Sequence, residues 1–192
     1  LASGQILLFL RKITKISVSQ NSKITYSIEK RVAKQGEVFN EVVLSKNGKE
    51  LSTWIVKSFE NIAVSSETKT ELKKDDKTPD KLKDADLTEI SFAAKIEEGK
   101  LKPLKGEDSL IFTYLPTKVL EFGFPFLVNG SFITNAAREG LHEDRAWNQW
   151  LFQLVAEKLI DWLASFATSK LKYQILQLLP QKFNSHHNEL KK

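Results

Sequence analysis

The sequence predicts an α+β fold in which a largely antiparallel sheet is followed by a C-terminal helical segment with one long buried helix. Three observations lead to this fold class. Residues 6–64 alternate between apolar and polar side chains, residues 65–86 are almost wholly charged or polar, and an apolar stretch of helical length begins at Trp147. Strand patterns that precede helix patterns, without alternating with them, are typical of α+β domains.

The first 64 residues predict an antiparallel meander of four strands. The alternating runs lie at about 13–18, 24–28, 38–44 and 53–59, and short segments with Asn or Gly separate them. Asn47-Gly48 is the strongest hairpin signal, because both positions of a tight two-residue turn require a left-handed backbone that Asn and Gly tolerate. Residues 5–11 can instead be the end of a helix that leads into the first strand.

Residues 65–86, SSETKTELKKDDKTPDKLKDAD, differ in character from what precedes them. Acidic and basic side chains alternate, and few positions are apolar. Such a segment cannot bury enough apolar surface to offset the entropy of ordering it. We expect a charged, flexible insertion between two strands, with a short exposed helix as the alternative.

Strand patterns return after the charged segment. Residues 87–96 read as one strand, and 110–115 read as another that ends at Pro116. The continuous apolar and aromatic character of 110–115 predicts a central strand that is buried on both faces. Residues 122–132 are rich in Phe and Gly and are expected to be extended.

The C-terminal part predicts two helices. The first starts near Trp147 with Asp144 as its N-cap and ends near Thr168; its apolar residues surround most of the helix, which predicts burial between layers. A second covers about 170–179 and ends at Pro180. The predicted division of the chain is therefore a β-rich start (1–64), a charged flexible insertion (65–86), strands followed by a polar loop that contains Arg138 (87–143), and a helical segment with its tail (144–192).

Composition excludes several classes of protein. The chain has no Cys, which excludes disulfides, a cysteine nucleophile, zinc–thiolate sites and iron–sulfur clusters. It also has no Met and begins with Leu1, so we treat it as a piece of a larger protein. No segment reads as a secretory signal or a membrane span, and a cytoplasmic location without membrane partners is expected. The net charge is +5, but basic and acidic residues are interleaved, which disfavours a nucleic-acid-binding arm.

The polar stretch between the apolar blocks at 124–126 and 147–150 holds the most chemistry. Glu139, Glu143 and Asp144 cluster near His142, and negative charge at a helix N-terminus explains them adequately. Arg138 remains. Its guanidinium is a rigid five-donor fork that suits phosphate oxygens. On spacing alone, however, pairing with Glu139, Glu143 or a backbone carbonyl is the favoured interpretation.

Four short motifs follow one another in a recognisable order. They are SLIFTYLP (109–116), FPFLVNGSF (124–132), NAARE (135–139) and WNQWL (147–151). Together they resemble the sacsin-like branch of the GHKL ATPases, the superfamily of gyrase, heat-shock chaperones, histidine kinases and mismatch-repair proteins. LLFLRKI (7–13) is similar to the segment where that family's ATP-binding domain ends. The resemblance covers roughly residues 6–18 and 109–180.

The resemblance implies that this chain is a middle, transducer-like domain, in which residues 1–64 are the β-rich start and residues 87–143 hold the loop that presents the arginine. ATP and Mg²⁺ would be bound by an upstream nucleotide-binding domain that is absent from the chain, which itself holds no cofactor-binding or metal-binding residues. NAARE resembles the Asn-x-x-Arg-Glu segment of the ninety-kilodalton chaperones, in which the Arg reaches the γ-phosphate. Arg138 is then the catalytic candidate, supported by Asn129, Asn135 and Glu139. Sacsin-type repeats often have two adjacent Arg here, whereas this chain has Glu139 after Arg138.

Two other functions remain open. The chain can be a protein–protein interaction module without a role in ATP turnover, or part of a DNA-transaction ATPase. An enzyme that works alone is disfavoured, because no Gly-rich phosphate loop or complete active site is visible. Beyond the upstream domain, the expected partners are an unidentified protein client and, less favoured, nucleic acid; a homodimer is also open.

Overall fold

One mainly antiparallel sheet forms the body of the molecule. The computed structural model describes residues 4–119 and 122–180, and within them it contains nine strands. The strands are β1 (Lys15–Gln20), β2 (Lys23–Lys34), β3 (Asn40–Lys46), β4 (Lys49–Ala63), β5 (Leu87–Glu97), β6 (Lys100–Lys102), β7 (Ile111–Thr113), β8 (Leu115–Pro116) and β9 (Leu127–Gly130). A long helix follows the sheet, so the predicted α+β class is confirmed.

The predicted four-stranded meander is also confirmed. Strands β1 to β4 pair antiparallel with their sequence neighbours. The β3–β4 hairpin turns at Asn47 and Gly48, whose φ angles of 50° and 78° lie in the left-handed region. The Asn47 side chain also accepts a 2.8 Å hydrogen bond from the Ser27 N–H and so ties this turn to β2.

The centre of the sheet is β5. The strand order is β1-β2-β3-β4-β5-β9-β7-β8, and β6 also pairs with β5. The strand predicted at 110–115 lies near the edge instead: β7 pairs parallel with β9, and only a two-residue strand lies beyond it. Ile111 and Phe112 are buried as predicted, but Tyr114 and Leu115 are exposed, because the chain reverses direction between β7 and β8.

The charged segment contains two helices. Helix α1 spans Ser66–Lys74 and α2 spans Asp80–Lys83. Ser65 caps α1 by accepting a hydrogen bond from the Thr68 N–H. Leu72, one of its few apolar residues, is fully buried against the core. Of the two expectations for residues 65–86, the helical one describes the secondary structure. That the segment is flexible stays a prediction.

Helix α3 (Ala146–Ser165) packs against one face of the sheet. Its N-cap is Arg145, without a side-chain capping bond, so the prediction that Asp144 caps it is wrong. A carboxylate oxygen of Asp75 approaches the Ala146 N–H at 3.4 Å instead. One face of the helix is buried, but Ile160, expected among its buried residues, is 62% exposed.

Two apolar clusters cover the two faces of the sheet. The larger lies under α1 and α3, where Trp162 stacks on Phe92 with ring centroids 5.2 Å apart. The smaller lies under the N-terminal segment, where Leu7, Leu8 and Phe9 are buried against the other face. The 3₁₀ helix Gln5–Leu8 starts this segment. The protein therefore has three layers, with the sheet in the middle.

The second predicted helix, at 170–179, is not an α-helix. Turns lead into a 3₁₀ helix at Ile175–Leu178. Gln174 accepts a 2.7 Å hydrogen bond from the Leu101 N–H, which ties this segment to β6. The His-containing tail lies outside the described residues. No helix in the described parts of the chain is long and apolar enough to cross a membrane.

Candidate functional site

Arg138 lies in a tight turn that Asn135 organises. The Asn135 N–H donates to the Gly140 carbonyl at 3.1 Å, and the Arg138 N–H donates to the Asn135 carbonyl at 3.0 Å. The Asn135 side chain accepts a 2.9 Å hydrogen bond from the Glu139 N–H. Arg138 itself has a φ of 58°, which a side chain with a Cβ rarely adopts. Asn135 therefore shapes the turn that carries the arginine, without touching the guanidinium.

The Arg138 guanidinium is docked on the β7–β8 turn. Its Nη2 donates to the Thr113 carbonyl at 3.2 Å, to the Leu115 carbonyl at 3.0 Å and to the Thr113 hydroxyl. The Arg138 carbonyl accepts a 2.9 Å bond from the Lys118 N–H. The sequence left Glu139, Glu143 and a backbone carbonyl open as partners of Arg138, and in the structure its guanidinium is bonded to backbone carbonyls. Nε is buried without a hydrogen-bond partner among the described residues.

Asn129 supports this contact from beneath the turn. It is only 1% exposed, and its Oδ1 accepts a 2.8 Å hydrogen bond from the Tyr114 N–H. Tyr114, between the two residues that receive Arg138, has a φ of 63°. Arg138 and Tyr114 are thus both left-handed although neither is Gly or Asn, and the Arg138 side chain connects the two turns in which they lie. Such strained backbone is held only by surrounding contacts and is concentrated at functional sites.

Glu139 forms an ion pair with Lys118. The hydrogen bond from Lys118, followed by the lysine charge, lowers the pKa of Glu139. Both side chains are well exposed, so the pair contributes little to stability. Its effect is positional, because it links the arginine turn to the chain that follows β8.

An open cavity of about 400 Å³ lies beside Arg138. The N-terminal segment and the β7–β8 region form its walls; the lining residues include Gln5, Ile6, Phe112, Leu115 and Pro116. Arg138 is the charged side chain among the residues that line it. The cavity is open to solvent, and the guanidinium at its wall is a donor group that can bind an anionic group placed there.

Asn148 anchors both ends of the arginine loop to α3. This fully buried side chain accepts a 2.8 Å bond from the Ile133 N–H and donates to the carbonyls of Ile133 and His142 at 2.8 and 3.0 Å. Beside it, the Trp147 ring N–H donates to the Ser131 carbonyl at 2.9 Å. Our sequence analysis did not assign Asn148 a role, although WNQWL was one of the motifs behind the resemblance.

A second polar junction joins α1 to α3. The hydrogen bond from Thr78 is the largest cause that lowers the pKa of Asp75; partial burial opposes it, and the N–H groups of Lys77 and Ala146 and the charge of Arg145 add to it. The Arg145 guanidinium lies 3.8 Å from Asp75.

Within residues 4–119 and 122–180, no three His, Asp or Glu side chains are grouped so that they could hold a metal ion.

The fold and this site give an α+β domain in which Arg138 lies on a left-handed turn beside an open cavity of about 400 Å³. Comparison with known proteins gives a partial likeness. The chain is 32% identical over 88 residues to Protein NO VEIN of Arabidopsis thaliana, an alignment that covers 44% of the chain and 3% of that protein. The chain thus spans about 3% of the length of this curated relative. No protein-family model and no solved structure matches it.

Proposed function

We propose that this chain is the transducer-like domain of a sacsin-like or chaperone-like GHKL ATPase. In this role it follows a nucleotide-binding domain and couples ATP binding or hydrolysis to conformational change, with Arg138 reaching the γ-phosphate. The observation that supports the proposal most is the placement of Arg138 on a strained turn beside the cavity. The order of the four sequence motifs is consistent with it.

The geometry suggests how the contact would work. Because Nη2 is occupied by Thr113 and Leu115, a phosphate contact would use Nη1 or draw the side chain away from the β7–β8 turn. Release would let the left-handed Tyr114 and Arg138 relax, at roughly 1–3 kcal/mol of strain each. Nucleotide binding would thereby shift the β7–β8 turn from one conformation to another. A transducer domain requires such a two-state segment.

In this role, the contribution of this chain to nucleotide binding would be the Arg138 guanidinium. The described residues contain no candidate metal cluster, and the sequence has no Gly-rich phosphate loop. ATP and Mg²⁺ would therefore be held by the neighbouring domain. A bound Mg²⁺ would supply charge neutralisation at the phosphate oxygens, and Arg138 would add positive charge beside the γ-phosphoryl group during its transfer.

The test is steady-state ATP hydrolysis by the longer protein that contains the nucleotide-binding domain. Arg138→Gly removes the side chain and also relieves the left-handed backbone, so a defect cannot arise from added strain. Arg138→Lys keeps the charge but loses the fork. We expect both variants to lose hydrolysis at least about tenfold while nucleotide affinity changes little, because the contact matures in the transition state.

Two control variants separate chemistry from architecture. Thr113→Val removes the hydroxyl partner of Arg138 and retains the guanidinium; it is expected to keep hydrolysis. Arg31→Ala removes an exposed arginine on β2 and is expected to do the same. If Arg138→Gly hydrolyses ATP at the wild-type rate and changes only the melting temperature, Arg138 is structural and the proposal fails.

A further inference from the structure

The two edges of the sheet are built differently. At one edge, β8 has two residues and ends in Pro116, and short strands and proline both discourage further pairing. At the other edge, β1 has six residues, KISVSQ, and only its first residue, Lys15, is charged. Residues 16–20 carry neither charge nor proline. Within residues 4–119 and 122–180, no strand pairs with the outer side of β1, so this edge is open to strand addition.

The register shows which backbone groups of β1 face outward. The Thr14 carbonyl accepts a 2.7 Å bond from the Lys30 N–H, so position 14 is bonded to β2. In an antiparallel ladder, bonded and non-bonded positions alternate. The N–H and C=O groups of Lys15 and Ser17 therefore point away from β2. Ser27, which faces Ser17, confirms the alternation, since its carbonyl is bonded on the opposite side.

Positive charge is concentrated around this edge. Residues 11–34 contain seven Lys or Arg and one acidic residue, a net charge of +6, whereas the whole chain has +5. The basic residues are Arg11, Lys12, Lys15, Lys23, Lys30, Arg31 and Lys34. The interleaving of charges expected from the sequence thus holds for the rest of the chain and not for β1 and β2. A negatively charged partner would be drawn to this edge.

The side chains on one face of this edge are apolar. Val18 is 51% exposed and Ile24 is 62% exposed, and Ile16 and Tyr26 are partly buried against the smaller cluster. β-Branched residues on a strand surface pack well against the same kind of residue on an added strand. The edge thus offers main-chain hydrogen bonds, apolar contacts and surrounding positive charge together.

Charge and aromatic content indicate which kind of partner can bind at the β1 edge. A second copy of the chain would bring two segments of net charge +6 together, which disfavours self-association. Single-stranded nucleic acid is bound on exposed aromatic rings, whereas the Tyr26 ring beside this edge is covered by the Lys46 ammonium at 5.3 Å. The Arg11 guanidinium is already paired with Glu60 and Glu89.

We propose that the free edge of β1 binds an extended, acidic segment of another protein, which adds to the sheet as a further strand. Main-chain hydrogen bonds to Lys15 and Ser17 provide the affinity. Alternating β-branched and acidic side chains on the partner provide specificity. The inference is independent of the ATPase proposal, because it uses different residues at the opposite edge of the sheet.

The probe is a fluorescein-labelled peptide, Glu-Val-Asp-Val-Glu-Val-Asp-Val, titrated with the 192-residue chain and followed by fluorescence anisotropy. A second peptide of the same sequence carries N-methyl groups on alternate amides, which abolish strand pairing and keep charge and composition. The protein variants are Ser17→Pro, which removes an outward N–H without breaking a bond to β2, and its matched control Ser17→Ala. A third variant changes Lys12, Lys15 and Lys23 to Gln and leaves the backbone intact.

We expect saturable binding of the unmodified peptide and none of the N-methylated peptide. Ser17→Pro is expected to weaken binding about tenfold, the effect of one lost hydrogen bond, while Ser17→Ala stays within about twofold. The triple Gln variant is expected to weaken binding and flatten its salt dependence. Absence of binding overturns the proposal. Equal binding of both peptides, or stronger binding of a DNA duplex of equal charge that ignores Ser17→Pro, also overturns it in favour of unspecific electrostatics.

Discussion

Replacement of Asn148 by Leu should loosen the arginine loop and destabilise the whole domain. The side chain makes three hydrogen bonds at 2.8–3.0 Å from a fully buried position. Leu has the same branched arrangement of four side-chain heavy atoms but is bulkier, so no cavity forms, and any overpacking adds to the polar loss. At about 1 kcal/mol net for each bond, the loss is about 3 kcal/mol, and it rises if the Ile133 and His142 backbone groups stay dry.

Urea unfolding followed by tryptophan fluorescence would measure this change in the free energy of unfolding. For a chain of this size, about 3 kcal/mol corresponds to a fall in melting temperature of roughly 6–12 °C. Gln149→Leu is the matched control, because the exposed Gln149 makes one 3.1 Å bond to the Glu143 carbonyl. It should cost less than about 1 kcal/mol. Hydrogen exchange should also become faster for amides between 133 and 142 in Asn148→Leu and not in the control.

The refuting result is equally specific. If Asn148→Leu and Gln149→Leu lower the free energy of unfolding by the same small amount, the three bonds to Asn148 contribute nothing beyond what water supplies. The loop would then be held by its own turn, and the assignment of Asn148 as its anchor would be wrong.

Two further predictions concern buried polar atoms. In the same urea assay, Trp147→Phe should lower the free energy of unfolding by about 1–2 kcal/mol more than Trp162→Phe. The reason is that the Trp147 ring N–H donates to the Ser131 carbonyl, whereas the buried Trp162 ring N–H has no partner among the described residues. Equal losses in the two variants would contradict this prediction. The lowered pKa of Asp75 means that its carboxylate stabilises the folded state above the ordinary value of 3.8 and loses that contribution as pH falls through the lowered pKa. The stability difference between wild type and Asp75→Asn should therefore be complete at pH 7 and vanish in acid below 3.8; a difference that is constant with pH would show that Thr78 and its neighbours bind Asn as well as Asp.

Sequence analysis located most of the elements because their signals are local. Period-two alternation and the Asn47-Gly48 turn involve residues that are close in the chain, and β1 to β4 follow them. The same reasoning assigned 110–115 to the sheet centre, where β5 lies instead. Apolar character shows that a strand is buried, but its position in the sheet depends on pairing partners that are distant in sequence.

The candidate site shows the same division. Arg138 can be singled out from the sequence by the chemistry of a guanidinium and by its motif, and its role at a phosphate stays a prediction. Its docking on Thr113 joins positions 25 residues apart. The support from Asn129 depends on a left-handed Tyr114 that no sequence pattern announces.

The sequence by itself determined the α+β class, the meander, the long C-terminal helix and the choice of Arg138 as the candidate residue. The tertiary structure decided how the termini and edges are completed. The N–H at the start of α3 is approached by Asp75, 71 residues earlier, and not by the adjacent Asp144. Likewise, only the strand order shows that β1 has a free edge inside the most basic part of the chain. Periodicity records which face of an element is buried, whereas caps, edges and docked side chains are set by contacts that form only when distant segments meet.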